Sequence, residues 1–419
     1  MHVRDITHAW LDLPNHVRPF GGQIVIDSIR EHGGDVVDYD GTQQDSTILL
    51  SLYWCEDLYE WVRFRKRNSL TNARVIIGGN HATGSPAAVL PFCAGVYRGD
   101  GDDYDGIDAT HLWTADNHPE PRVCNPVPRR IISMEAKAVA KVSFPIMELS
   151  RGCKYQCHYC QYAWMKPYRE QDADWLISQV QGIAGGRVRL SSADIPQHSR
   201  AEEIFAACKA AHVGIANQDG ALFTVARRDN EPLGKMQRFG IDGMSDRLRK
   251  MVHKPIKADW LVERIATYAE RGVTRCLAYN IFGLPTETSD DYAEWDAMLR
   301  RIVETVGKGF TWVNSWNAFL PMPMTPLASS PSSWRKDHRD LSRMADTRKW
   351  AKSRGVNVFD MPERTGDRKI TERMIAIRAT EKTAHIVATI ALRPSWNERD
   401  VLREFKRCEG YDLHGYANE

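Results

Sequence analysis

Three cysteines, Cys153, Cys157 and Cys160, stand in a C-x3-C-x2-C spacing within ELSRGCKYQCHYCQY, residues 148–162. Thiolates this close in sequence read as metal ligands when the compartment is reducing. Three of them can hold three irons of a cubane cluster, which usually takes four thiolates. A missing fourth ligand leaves one iron open, and an open metal position can bind a substrate and pass it an electron. A zinc knuckle and buried free thiols are the alternatives. Zinc needs a fourth ligand, and His158 points the wrong way if Cys157 and Cys160 both bind.

Other elements must position this loop. Val142, Phe144 and Ile146 alternate into it, so the cysteines lie on the loop leaving a strand. Downstream, the pattern predicts helix 175–183, strand 188–190, helix 201–211 and strand 213–217. Strand 235–241, helix 258–271, strand 275–282, helix 290–306 and strand 310–316 follow. Such βα units suit a barrel with ligands at the carboxyl ends of its strands. Those ends are polar or glycine-rich: Ser191-Ser192-Ala193-Asp194, the FGID stretch reaching Asp242, and Asn280 to Gly283. Ser191, Ser192 and Asp194 offer oxygens to a ligand, or else cap the following helix.

The cysteine stretch resembles the signature of the radical S-adenosylmethionine superfamily. That resemblance implies a 4Fe–4S cluster on Cys153, Cys157 and Cys160, whose open iron chelates the amino and carboxylate groups of S-adenosylmethionine. One electron then cleaves the sulfonium to methionine and a 5′-deoxyadenosyl radical, which abstracts hydrogen from an unactivated carbon. Tyr159 matches the aromatic position near the adenine. The SSAD turn stands where the family often has a glycine-rich turn and an acid for the methionine amine. Residues 239–256 resemble the fourth-strand segment of the methylthiotransferase and cobalamin-type branches, with Asp242 in place of the usual glutamate. One methylene shorter, its ligand contact is lost or re-aimed. YNIFGLPTETSDDY matches the strand ending in G-L-P-x-E-T. NAFLPMPMTPLA matches the closing segment, with Met324 replacing a glycine. The implied cofactor contacts fall on Tyr159, Ser191, Ser192, Asp194, Asp242, Asn280 and Gly283. The implied partner is an electron donor of the flavodoxin or ferredoxin type.

Residues 1 to about 105 also alternate strand and helix, predicting a Rossmann-like open parallel sheet. Strands are expected at 6–13, 35–39, 47–53, 73–77 and 94–97, with helices at 23–31 and 56–66. Only seven residues separate Tyr39 from Thr47. A parallel crossover normally takes a dozen or more, so one helix is missing. The pieces GGDVVDYD, VIIGGNHATGSP and VYRGDGDD resemble the cobalamin-binding domain ahead of many radical enzymes, here in reduced form. The resemblance implies a cobalamin site with Gly79 and His81 at its crevice. No D-x-H-x-x-G stretch is present, and His81 bonding local backbone is the plainer reading. The methylthiotransferase branch carries a second cluster in this domain. Cys55, Cys93 and Cys124 are the available thiols, with a structural role as the default.

Pro119, Pro121, Pro126 and Pro128 mark 106–140 as a linker before a partial (β/α)6 barrel over 141–330. Residues 331–419 read as a mainly helical cover. Trp334 to Arg354 carries eight Lys/Arg against three Asp, a solvated face or a phosphate-binding surface. Ile370 to Leu392 reads as a packing helix. Ser395 to Glu398 reads as a capping box for a last helix to Arg407. Tyr411, His414 and Tyr416 sit in a tail that could cover the barrel mouth. A net charge of +2 imposes no nucleic-acid or membrane partner. No apolar run approaches the roughly 20 residues of a span, and no leader pattern opens the chain. Nine cysteines, three of them clustered, fit a cytoplasmic protein. Three functions stay open. One is cobalamin-dependent methyl transfer. Another is a cobalamin-independent rearrangement on a large substrate such as a modified nucleic-acid base. The last is a non-enzymatic metal-binding scaffold.

Overall fold

The computed structural model describes residues 7–14, 19–43, 46–71, 74–104, 109–132, 144–215, 234–254, 256–330, 332, 340–361, 367–393 and 395–413. The first domain runs β1 (Thr7–Trp10), α1 (Phe20–Glu31), β2 (Asp35–Asp38), β3 (Thr47–Ser51), α2 (Asp57–Arg67) and β4 (Val75–Gly78). It continues through α3 (Asn80–Gly84), α4 (Pro86–Val89), β5 (Gly95–Tyr97) and β6 (Leu112–Trp113). They build one six-stranded sheet ordered β2-β1-β3-β4-β5-β6. All neighbours pair in parallel except β5 and β6.

β1 lies between β2 and β3, so the short link after Tyr39 must cross β1. It does so without a helix among the described residues. Tyr39 closes that side, its ring 6.3 Å from Phe64 of α2. Side chains alternate between the two faces of the sheet. Trp10, Val36 and Leu49 pack with Ile26 and Ile29 of α1. Ile48, Leu50 and Leu52 pack with Leu58, Trp61 and Val62 of α2. Burial on both faces explains why the central strand β3, TILLS, reads as an apolar run.

The second half begins with β7 (Ile131–Ile132), β8 (Ile146–Glu148), β9 (Ser150–Arg151), α5 (Gln161–Met165) and β10 (Arg169–Glu170). Then come α6 (Ala173–Gly182), β11 (Arg187–Ser191), α7 (Ala201–Ala210) and β12 (Gly214–Ile215). β12-β11-β8-β7 form one sheet. β13 (Met236–Asp242), α8 (Asp246–Met251), α9 (Ala258–Glu270), β14 (Arg275–Phe282), α10 (Ser289–Thr305) and β15 (Thr311–Ala318) follow. β8, β11 and β12 of that sheet and β13, β14 and β15 of a second sheet are the six strands expected of the partial barrel; among the described residues the two sheets are not paired to each other. The end of the predicted strand 213–217 falls outside the described residues.

The region after residue 330 is not purely helical. After α11 (Leu341–Ser353), β16 (Asn357–Met361) pairs in parallel with β15 and extends the sheet. Val356 and Val358 are buried there, which gives the strand its reason to dock. The predicted helix 370–392 is two, α12 (Asp367–Arg378) and α13 (Ala384–Leu392). Between them the Thr380 hydroxyl accepts from the Lys382 N–H at 3.2 Å and starts a separate turn. The last helix, α14 (Glu398–Glu409), is capped by Asn397 rather than Ser395. Glu398, the acid expected to complete a capping box, instead accepts from Thr371 at 2.6 Å.

Candidate active site

Cys153, Cys157 and Cys160 lie on the loop between β9 and α5. Gly152 opens it at φ +71°, and a Cβ there would stand 2.5 Å from the Pro167 carbonyl oxygen. Only glycine fits that turn. Later strand exits hold the loop. The Gln197 side chain accepts from the Lys154 N–H at 3.0 Å, and its carbonyl accepts from Lys154 Nζ at 2.7 Å. The His158 N–H donates to the Val252 carbonyl at 2.9 Å, and its Nδ1 lies 3.1 Å from the Met251 carbonyl oxygen. His158 is a staple between segments, stacked on His253 at 5.2 Å.

The donor set fits a cubane better than zinc. Cys153 and Cys157 are buried and Cys160 half-buried. Burial raises all three thiols, Cys157 to about 12, while the Lys254 charge works against the rise. Among the described residues, the one group of three His, Cys, Asp or Glu with donor atoms mutually within 4.8 Å is His385, Glu404 and Cys408. At least one pair of the three loop sulfurs therefore lies more than 4.8 Å apart. Tetrahedral zinc at about 2.3 Å per sulfur would draw them to about 3.8 Å apart. Separate cubane corners accept the wider spread.

The other predicted residues divide. Ser191 ends β11 and Ser192 follows it, with Ser192 Oγ 2.6 Å from Ser150 Oγ. The turn does not cap a helix through Asp194, which makes no side-chain cap bond, and α7 starts only at Ala201. Asp194 is fully buried, and its charge reaches Cys153. Asp242 ends β13 at φ +69°. Its Oδ2 accepts from the Tyr159 hydroxyl and from Lys254 Nζ, each at 2.5 Å. The shortened acid is thus re-aimed at protein groups. Gly283, at φ +76°, gives its N–H to Glu287 at 3.0 Å and shapes the turn.

Asn280 is placed away from the strand-end site. On its face of the sheet lies Asn314, whose Oδ1 is 3.5 Å away, between Trp312 and Trp316. Those tryptophans pack on Trp295 of α10, so Asn280 faces the outer helices. Tyr279, its neighbour, points to the opposite face and is exposed.

A cavity of about 300 Å³ lies between the first domain and the barrel. Ser51, Tyr53, Gly78 and Gly79, at the ends of β3 and β4, line one side. Glu148, Arg151, Ser191 and Ser192 line the other. Gly79 has φ +97°, and a Cβ there would stand 2.5 Å from the Leu52 carbonyl oxygen. His81 lies outside the lining. It is buried in α3 and donates its backbone N–H to Leu52 at 3.1 Å, and burial lowers its imidazole pKa to about 4. Among the described residues, no His, Cys or Met lines the cavity.

A buried ionic cluster, absent from the sequence-level candidates, joins the cavity to the cysteine loop. Arg151 reaches Asp102 at 2.5 Å and Glu148 at 2.7 Å. Asp100 accepts from Lys166 at 2.6 Å and Arg169 at 2.8 Å. Burial works to raise the Asp100 carboxyl, but Lys166 and Arg151 win and hold it well below the usual carboxylate range. The acidic run RGDGDD and the arginine before Gly152-Cys153 were the available signals. Lys254 also escaped sequence reasoning.

The remaining thiols do not gather. Cys93 packs in the core, Cys55 bonds Glu56 at 3.1 Å, and Cys124 neighbours Asp103. The described part of the basic stretch, α11, spends charge internally. Arg348 pairs with Asp360, and Arg354 lies over Trp350. Residues 333–339 and the tail residues His414 and Tyr416 fall outside the described residues, while Tyr411 packs on Phe405. No described helix is long and apolar enough to cross a membrane.

Residues 147–299 match the Radical SAM superfamily. No curated protein matches the chain in sequence. Among solved structures it is similar to TsrM, a radical S-adenosylmethionine methyltransferase from Kitasatospora setae, solved with cobalamin and a [4Fe-4S] cluster. That match has TM-score 0.52 and 14% identity, covering 78% of this chain and 79% of the other. It is also similar to OxsB, a cobalamin-dependent S-adenosylmethionine radical enzyme solved with aqua-cobalamin and S-adenosylmethionine. Here the TM-score is 0.52 and the identity 11%, covering 98% of this chain and 76% of the other.

Proposed function

We propose that this chain, which carries a Radical SAM superfamily domain over residues 147–299, uses its first domain to hold a corrinoid beside the barrel and transfers a methyl group. The observation that carries the reading is the shared cavity, walled by strand ends of the first sheet and by Glu148, Arg151 and Ser191–Ser192 of the barrel. Ligands of open α/β sheets and of barrels both sit at carboxyl strand ends. Two ligands held there would face each other.

Cys153, Cys157 and Cys160 would hold the 4Fe–4S cluster, which when bound supplies the electron for reductive cleavage of S-adenosylmethionine. The chain's own residues bind and orient. Ser191 and Ser192 present oxygens on the cavity wall, suited to a methionine amine. Tyr159, anchored through Asp242, fixes an aromatic ring between two cysteines for an adenine. Trp10, Tyr53, Tyr97 and Tyr104 give the first-domain side apolar walls that exclude water. A cavity of about 300 Å³ is at the small end for organic ligands. A corrinoid is larger than this space, so it would extend out through the open mouth of the cavity.

The experiment is anaerobic. Reconstituted protein with S-adenosylmethionine and dithionite should release 5′-deoxyadenosine, and Cys153→Ala, Cys157→Ala and Cys160→Ala should each abolish it. Hydroxocobalamin should bind with a spectrum lacking a protein imidazole or sulfur ligand, because no His, Cys or Met lines the cavity among the described residues. A product heavier by one methyl supports transfer. A failure to bind any corrinoid removes the methyl-transfer reading. A product of unchanged mass favours the rearrangement reading, to which the short link between β2 and β3, without a helix among the described residues, lends its support.

A further inference from the structure

α13 and α14 meet outside the Radical SAM domain, and their contact carries three side chains that can ligate a metal. His385 stands in the first turn of α13. Glu404 and Cys408 are four residues apart on α14, neighbours on one face of the helix. His385 Nε2 lies 3.2 Å from Glu404 Oε1, and Cys408 Sγ lies 3.7 Å from the same oxygen. All three donor atoms are within 4.8 Å of one another. Tetrahedral zinc, at about 2.0–2.1 Å from nitrogen and oxygen and about 2.3 Å from sulfur, sets ligand–ligand edges of about 3.3–3.6 Å. The side chains already stand close to those edges. Cys408 is in no disulfide and His385 is exposed, so an ion has a way in.

The scaffold holds this arrangement by itself. The Thr380 and Thr383 hydroxyls, in the turn before α13, both donate to Glu409 Oε1, at 2.6 and 2.8 Å. They pin the last turn of α14 beside the first turn of α13. Phe405, fully buried, fixes the rotation of α14. One group competes for the carboxylate. Arg407 donates to Glu404 Oε1 at 2.5 Å and to Oε2 at 2.9 Å. Its side chain is 71% exposed, and an exposed ion pair is weak, so Oε1 is released at little cost. Arg407 can keep Oε2 while Oε1 turns to a metal.

We propose that His385, Glu404 and Cys408 form a zinc site that clamps α13 to α14. A set of imidazole, thiolate and carboxylate suits zinc, whereas magnesium and calcium take oxygen ligands. Cys408 binds as the thiolate, and its proton leaves to solvent. Three protein ligands leave the fourth position to water. α13 in turn packs on α2, where Arg63 donates to the Ala391 carbonyl at 2.8 Å. The clamp therefore fastens α14, through α13, to the first domain. It stands apart from the cysteine-loop chemistry.

The test equilibrates full-length wild type, His385→Ala and Cys408→Ser with zinc held at a fixed free concentration by a chelator, and counts the bound metal. His385 is exposed and serine matches cysteine in size, so both variants keep the fold. Cys153, Cys157 and Cys160 are common to all three proteins, so any zinc they take cancels. Wild type should hold one zinc more per chain than either variant. Affinity at this site should fall by more than about a hundredfold in each, beyond the loss typical of a merely supporting residue. Zinc should raise the unfolding midpoint of wild type, because it binds the folded arrangement, and leave that of His385→Ala unmoved. Equal zinc, or an equal shift of the midpoint, in all three proteins overturns the proposal. So does a loss confined to Cys408→Ser, which means adventitious binding by a lone thiol.

Discussion

Asp102 of the first domain and Arg151, two residues before Cys153, meet in a buried pair. Arg151 Nη1 lies 2.5 Å from Asp102 Oδ2, and Nη2 lies 3.1 Å from Oδ1. Both line the interdomain cavity. The contact is bidentate, the geometry in which arginine binds a carboxylate best. It ties the wall of the first domain directly to the start of the cysteine loop.

Removing one member of such a pair strands a buried charge. Arg151→Met should therefore lower unfolding stability by about 3–5 kcal/mol. Asp102→Asn should cost less, because Glu148 still serves Arg151 at 2.7 Å. Urea titrations of the two variants check the ranking. Equal and negligible losses would mean the pair holds nothing together.

His81 should make stability fall with acid. Its folded pKa, about 4, lies below the ordinary 6.5, because burial disfavours the charged ring. As pH drops, the unfolded chain binds the proton first. The His81 contribution is full above 6.5, declines between 6.5 and about 4, and then levels off, a loss of about 3 kcal/mol at most. A denaturation series over pH 7 to 4 should be flatter in that window for His81→Gln.

Gly79→Ala should damage the first-domain side alone. The backbone is at φ +97° and the new Cβ meets the Leu52 carbonyl oxygen at 2.5 Å. Strain of about 1 kcal/mol or more is expected. Corrinoid binding should weaken, while dithionite-driven release of 5′-deoxyadenosine persists, because the cysteine loop is untouched. Measuring both on one preparation separates the two domains.

Asn280→Leu should leave S-adenosylmethionine affinity unchanged, whereas Ser192→Ala should lower it. Asn280 faces the helices, and its Oδ1 is buried without a hydrogen-bond partner. Replacing it with an apolar side chain loses little, within about 1 kcal/mol of stability. Equilibrium dialysis of the two variants with S-adenosylmethionine decides it.

Much of this protein is readable along the chain. The cysteine spacing, the order of βα units and the missing crossover helix are local features. Period-two and period-3.6 patterns, glycine stops and short motifs reveal them without tertiary information. The sequence by itself therefore determined the chemistry of the loop and the succession of strands that carry it. Tertiary structure alone decided the rest. Asp102 and Arg151 are 49 residues apart, and Tyr159 and Asp242 are 83 apart. No local pattern records which of several acids a buried cation will choose. That choice follows from which strand ends converge, and from the high cost of leaving a charge alone in a low-dielectric interior. For the same reason Asn280 and Tyr279, adjacent in sequence, divide between the helix layer and the opposite face. A strand's alternation is visible in sequence, but which face meets the ligand is settled only when the sheet curls and its helices dock.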